Sequence, residues 1–212
     1  MMEPVFETYR SLASLLDYPT NDTASQINLV AGILSREYPE IFSEYTPFAE
    51  GYRALASWER EEYFVRTFEV ESLVSMDLGY LRFGEEYKRG AFLAMMQVEQ
   101  QKAGNPLGHE LADHLPNVLR LLPLMGDHNL AKELCSSLII PAIWEILKKM
   151  EGSNNLFLSL FRTLHGMMMK DFGELPYDRF IPAGDAAGCT PEGYGCGFDF
   201  LDEIGKTKKE LV

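Results

Sequence analysis

His109-Glu110-Leu111-Ala112-Asp113-His114 is where histidines and carboxylates crowd together in this chain. The chemistry such a stretch suggests is zinc-assisted hydrolysis. The metalloprotease motif sets two histidines four apart, about 40° around a helix, so both face one ion. Here they are five apart, about 140° on a helix of 3.6 residues per turn. One helix cannot aim both at one metal. A carboxylate-bridged di-iron bundle needs Glu three residues before each of two histidines. The residues three before His109, His114, His128 and His165 are Pro106, Leu111, Met125 and Arg162, so that motif is absent. No GxGxxG loop, no GxxxxGK loop ending in Ser or Thr, and no GxSxG elbow occurs. Cys135 has no histidine near it on its own helical stretch. Cys189 and Cys196 are separated by six residues, wider than the two to four usual in metal sites. These patterns predict no catalytic residues, no metal and no cofactor.

The chain is long enough to bury a sizeable core: 212 residues, 46% of them hydrophobic. Thirty-two Asp and Glu against 19 Lys and Arg give a net charge of −13. That charge repels phosphate backbones and anionic membranes, so a nucleic-acid partner is not expected. It favours a basic partner, or it only keeps the protein soluble. No apolar run reaches the length of a transmembrane helix, so no stable membrane insertion is expected. The first residues lack a basic region followed by an apolar one, and three cysteines make no disulfide framework. Both readings place the protein in the cytoplasm. Its expected state is a monomer or a weak homo-oligomer.

The elements that must position any site read as helices. Val5, Phe6, Tyr9, Leu12, Leu15 and Leu16 make a helix-period stripe over residues 4–17. Residues 23–37 put Ile27, Val30, Ile33 and Leu34 on one face, stopped at Tyr38-Pro39. Two further helices are expected over 47–58 and 60–76, with Tyr52, Leu55, Tyr63, Phe64 and Phe68 as core candidates. Residues 85–103 read as one helix ended by Gly104-Asn105-Pro106. Asp113 stands where it can cap the next helix, with Pro116 in its first turn. Pro123 shortens or kinks that helix, and Pro141 kinks or splits the long apolar run from Asn129 to Met150. The last helix spans 156–172. From Gly173 the texture turns to Gly, Pro and acid; residues 171–203 hold eight acidic residues and one basic one. No strand alternation and no internal repeat is visible. The expectation is an all-α fold: a single helical-bundle domain over 1–172, then a loosely ordered acidic tail over 173–212.

Two features point to partner binding. Ten methionines, among them Met95-Met96 and Met167-Met168-Met169, fill cores in the usual case and line adaptable peptide grooves in the other. Residues 59–86 hold eight acidic and three basic residues with aromatics interleaved. That is either a solvated helix face or a surface suited to a segment mixing arginines with apolar residues.

Three short segments carry a family resemblance. They are Leu15-Leu16-Asp17-Tyr18-Pro19, Phe83-Gly84-Glu85-Glu86-Tyr87-Lys88-Arg89-Gly90, and Glu110-Leu111-Ala112-Asp113-His114-Leu115-Pro116. The last leads into the leucine-rich Asn117-Val118-Leu119-Arg120-Leu121-Leu122. In this order they resemble the molybdoenzyme-maturation chaperones, the family of the nitrate reductase assembly chaperone, over roughly residues 5–170. Phe83, Glu86, Lys88 and Ala112 stand where that family carries His, Ser, Asp and Pro. The wording around Glu85 is more similar to relatives serving selenate, perchlorate or dimethyl sulfide enzymes, and to the trimethylamine N-oxide and dimethyl sulfoxide reductase chaperones. The resemblance implies an all-helical cytoplasmic chaperone, not an enzyme. Its client would be the apo catalytic subunit of a molybdenum enzyme, held at its N-terminal or twin-arginine segment until cofactor is inserted. The implied client-binding residues are Glu85, Glu86, Tyr87, Arg89, Glu110, Asp113, His114 and Pro116. Glu85 and Glu86 would receive client arginines, and Asp113 would cap its helix and orient His114 or a client backbone. A purely structural role stands beside this for Asp113 and Pro116, and a local ion pair for Arg89. Two other classes stay open: an accessory subunit of a reductase complex, and a small helical enzyme.

Overall fold

Helix α1, Glu3–Ala13, buries Phe6, Tyr9, Leu12 and Ala13 along one stripe. It ends four residues earlier than its periodicity suggests. Leu15 and Leu16 are buried all the same, in the turn that follows, where their N–H groups bond to Leu12 and Ala13 carbonyls. The computed structural model describes residues 3–70 and 72–173. Helix α2, Thr23–Glu37, has the expected bounds and buries Ile27, Val30 and Leu34. Helix α3, Phe42–Ala54, starts upstream of its expected place and carries Pro47 inside it. Helix α4 is Ser57–Phe68; the Glu59 carboxylate accepts from the Ala56 N–H at 2.6 Å and closes its first turn.

The expected helix over 60–76 stops at Phe68. After it a loop leads into a short helix α5, Leu78–Phe83, that periodicity over six residues could not declare. Gly84 ends α5 at φ +57°, ψ −131°, a backbone state open to glycine and strained for other residues. Helix α6, Tyr87–Lys102, follows. Helix α7, Leu115–Leu121, carries Pro116 in its first turn as expected, and Pro123 converts its end to a 3₁₀ turn over Leu122–Leu124. Helix α8, His128–Leu134, runs through a π turn, Cys135–Ile139, into α9, Ile140–Met150. Pro141 lacks the N–H that would bond four residues back, so a wide turn just before it is the expected accommodation. Helix α10, Leu156–Phe172, has the expected bounds.

Among the described residues the fold is all-α, with no strand. Helix α10 is the hub: it packs on α3 and α9, and its last turn reaches α1. The hydroxyls of Tyr9 and Tyr38 both donate to Asp171 Oδ2, at 2.5 and 2.7 Å, and tie that end down. Phe157, at the start of α10, sits among the rings of Phe48, Tyr52, Tyr63, Phe64 and Phe68. Of the methionines, Met76, Met96, Met125, Met150, Met167 and Met168 are buried, which is core filling rather than a groove. Cys135 is buried too, and burial pushes its thiol pKa well up. No described helix is long and apolar enough to cross a membrane. The expected acidic tail, with Cys189 and Cys196, lies outside the described residues from 174 on.

Candidate functional site

The two central motif segments meet at a residue that belongs to neither. Asp77 precedes α5 and pairs with His114, just before α7, as an isolated antiparallel bridge. The Leu78 N–H donates to the Asp113 carbonyl at 3.1 Å, and the Leu115 N–H donates to the Met76 carbonyl at 2.9 Å. Two backbone bonds thus lock the entry of α5 to the entry of α7. The Asp77 side chain then joins the motifs: Oδ1 lies 3.0 Å from His114 Nδ1, and Oδ2 lies 3.7 Å from the Arg89 guanidinium of α6. An ionised carboxylate only accepts, so Nδ1 of His114 carries the proton that faces it. Arg89 also lies over the Tyr80 ring, 5.4 Å from its centroid. Glu110 approaches His114 at 3.9 Å from the solvent side. Asp77 thus fixes the orientation of the His114 ring.

Asp113 does not cap α7. The residue before that helix is His114, and no side chain caps it. Instead Asp113 turns inward, 0 % exposed, and its Oδ2 accepts from the Gly79 N–H of α5 at 2.7 Å. It satisfies a first-turn donor of a helix 34 residues away in sequence. The backbone bridge forces this, because it aims the Asp113 side chain at α5 rather than along α7. Gly79 leaves the room: a Cβ there would lie 2.7 Å from Asp113 Oδ2 and 2.9 Å from Phe92 Cδ1. Asp113 Oδ1 and Arg89 Nε are both buried without a hydrogen-bond partner. Burial pushes the Asp113 carboxyl pKa up, the Gly79 N–H pulls it back, the Asp77 carboxylate pushes it further up, and Arg89 lowers it; the net direction is up.

The loop from α6 to α7 is pinned by amides. Gln100 Nε2 donates to the Ala112 carbonyl at 2.9 Å. Asn105 donates to Gln100 Oε1 at 2.6 Å and to the Asn117 carbonyl at 3.1 Å. Asn117 donates to the Leu111 carbonyl at 2.9 Å and accepts from Arg120 at 3.2 Å. Arg120 in turn pairs with Asp17, which belongs to the first of the three motif segments.

Of the eight residues expected to form a site, Arg89, Glu110, Asp113 and His114 gather around Asp77. Glu85, Glu86 and Tyr87 stand on the adjoining turn before and into α6, all exposed, Tyr87 at 95 %. Pro116 is buried in the first turn of α7. Asp113 and Pro116 therefore hold the site from inside and offer no surface. The histidines weighed for zinc are not on a helix: His109 is exposed in the loop and His114 faces Asp77. Among the described residues no three His, Cys, Asp or Glu side chains gather as a metal site. Sequence reasoning missed Asp77, Gly79, Gln100, Asn105 and Asn117. Asp77 before Leu78-Gly79 had the form of a helix start, but nothing local tied it to His114.

The arrangement can present a rim of Glu85, Glu86, Tyr87, Tyr80 and Glu110, backed by the half-buried Asp77, Arg89 and His114 and the buried Asp113. The chain matches no protein-family model and no curated protein.

Proposed function

We propose that this chain is a chaperone for the apo catalytic subunit of a molybdenum enzyme, binding an arginine-bearing N-terminal segment on the rim around Asp77. The observation that carries the reading is convergence. The three segments of family resemblance, far apart in sequence, are joined through Asp77, His114 and Arg89 on one side and Arg120–Asp17 on the other. A rim of exposed carboxylates and two exposed tyrosines suits a client segment with guanidinium and apolar groups. Glu85 and Glu86 receive the arginines, and Tyr80 and Tyr87 supply amphipathic contact area. Asp77, Asp113 and Arg89 position that rim. The protein releases the client once cofactor is in place and carries none itself.

Calorimetric titration with N-terminal peptides of molybdoenzyme catalytic subunits tests this. Saturable binding that weakens with salt and with Arg→Ala in the peptide is the expected result. If no peptide binds and the whole subunit also fails to co-purify, the reading is wrong. Stoichiometric retention in the mature complex would instead make the chain an accessory subunit.

A further inference from the structure

A second concave surface lies away from that junction, between α9, α10 and the start of α3. Its volume is about 560 Å³, within the roughly 300–1,000 Å³ of sites that hold small ligands or a few side chains. Trp144 and Lys148 stand four apart on the open stripe of α9, and Leu158, Arg162 and His165 form a matching stripe on α10. Trp144 is 50 % exposed, although the helix around it is mostly buried. The His165 ring lies 5.7 Å from it at 33°, and the Lys148 ammonium lies 6.0 Å from its centroid. Burial lowers the His165 pKa, so its ring is uncharged at neutral pH and extends the indole as an aromatic shelf.

Of the four charges that line the groove, one is paired. Lys148 is held by Glu145 at 2.9 Å. The Arg162 guanidinium and the Glu44 and Glu151 carboxylates have no ion-pair partner among the described residues. A lone anion in the groove would face two carboxylates, and a lone cation would face Arg162 and Lys148. An occupant needs both signs, separated, with an apolar body between them.

We propose that this groove binds a peptide segment of a partner protein in which an aromatic side chain is flanked by one basic and one acidic residue. The aromatic ring lies on Trp144 and His165. The basic residue meets Glu44 and Glu151, and the acidic one meets Arg162. Alternate side chains of an extended segment share one face, so the basic and acidic residues stand two positions before and after the ring and reach the two walls beside it. The groove shares no residue with the Asp77 rim and does not rest on the chaperone reading.

The test uses the full chain with Trp58→Phe, which leaves Trp144 as its only tryptophan. The probes are capped pentapeptides with phenylalanine at the centre, and lysine and glutamate at the two ends in either order. At least one should shift Trp144 emission saturably in the micromolar range. Arg162→Glu and Glu151→Lys, both at exposed positions, should each weaken it by about tenfold or more. Replacing the central phenylalanine by alanine should abolish the shift. No saturable shift up to millimolar peptide, an affinity unchanged by both variants, or free phenylalanine binding as tightly as the peptide would each overturn the proposal.

Discussion

Phe157 and Asp113 are both fully buried, and they are held in opposite ways. Phe157 lies among five rings whose centroids are 4.7 to 6.1 Å away. Those contacts are non-directional, and their strength follows area and fit. The Asp113 side chain accepts from the Gly79 N–H through one oxygen, with its second oxygen unpartnered and a carboxylate and a guanidinium nearby. Its contribution depends on geometry and protonation, and a small displacement leaves a charge stranded. The aromatic region contributes stability through buried area and fit. The Asp113 region selects one placement of α5 and α6 against α7, and so places the rim that the proposed function needs.

Substitutions can push on each side of that contrast. The largest effect is expected at Phe157→Ala, which empties the centre of the ring cluster: a loss of about 3–5 kcal/mol in urea unfolding. Gly79→Ala comes next, because its methyl group would press on Asp113 Oδ2 and the Phe92 ring; about 1–3 kcal/mol is expected by the same measurement. Its control is Gly90→Ala in α6, where an added Cβ meets nothing within 4 Å and a gain of about 0.5–1 kcal/mol is expected.

Asp113→Leu leaves the buried Gly79 N–H without a partner and should cost about 1–3 kcal/mol. Asp113→Asn keeps an acceptor and removes the charge, and pH gives it a signature. The folded-state pKa of Asp113 is raised, so the folded protein gains stability as pH falls through that value towards the unfolded value of about 4. The Asn variant lacks this gain. The stability of Asn variant minus wild type should therefore be greatest at neutral pH and shrink on acidification; a constant difference would remove burial of charge from the explanation. Smallest of all, Glu85→Lys with Glu86→Lys should change stability by no more than about 0.5 kcal/mol, because both side chains are exposed.

The same contrast explains what the sequence could and could not reveal. Periodicity found α2 and α10 with their bounds, because apolar spacing along one helix is local information. The prolines at 116, 123 and 141 marked a helix start, a 3₁₀ end and a π turn, because a missing N–H acts within four residues. The α5 helix was hidden, since six residues show too few turns to display a period. Asp113 looked like a cap for the helix it precedes. Its true partner, Gly79, is set by a backbone bridge that no local pattern encodes. The motif residues were visible, but Asp77, which joins them, was not, because its meaning comes entirely from the residues it reaches.

The most direct test of the central claim is calorimetry of the Glu85→Lys/Glu86→Lys protein against the arginine-bearing molybdoenzyme segment. The wild-type chain should bind it, and the double variant should bind at least about a hundredfold more weakly with its unfolding transition unchanged. Equal affinity for the two proteins, or no binding by either, would contradict the claim.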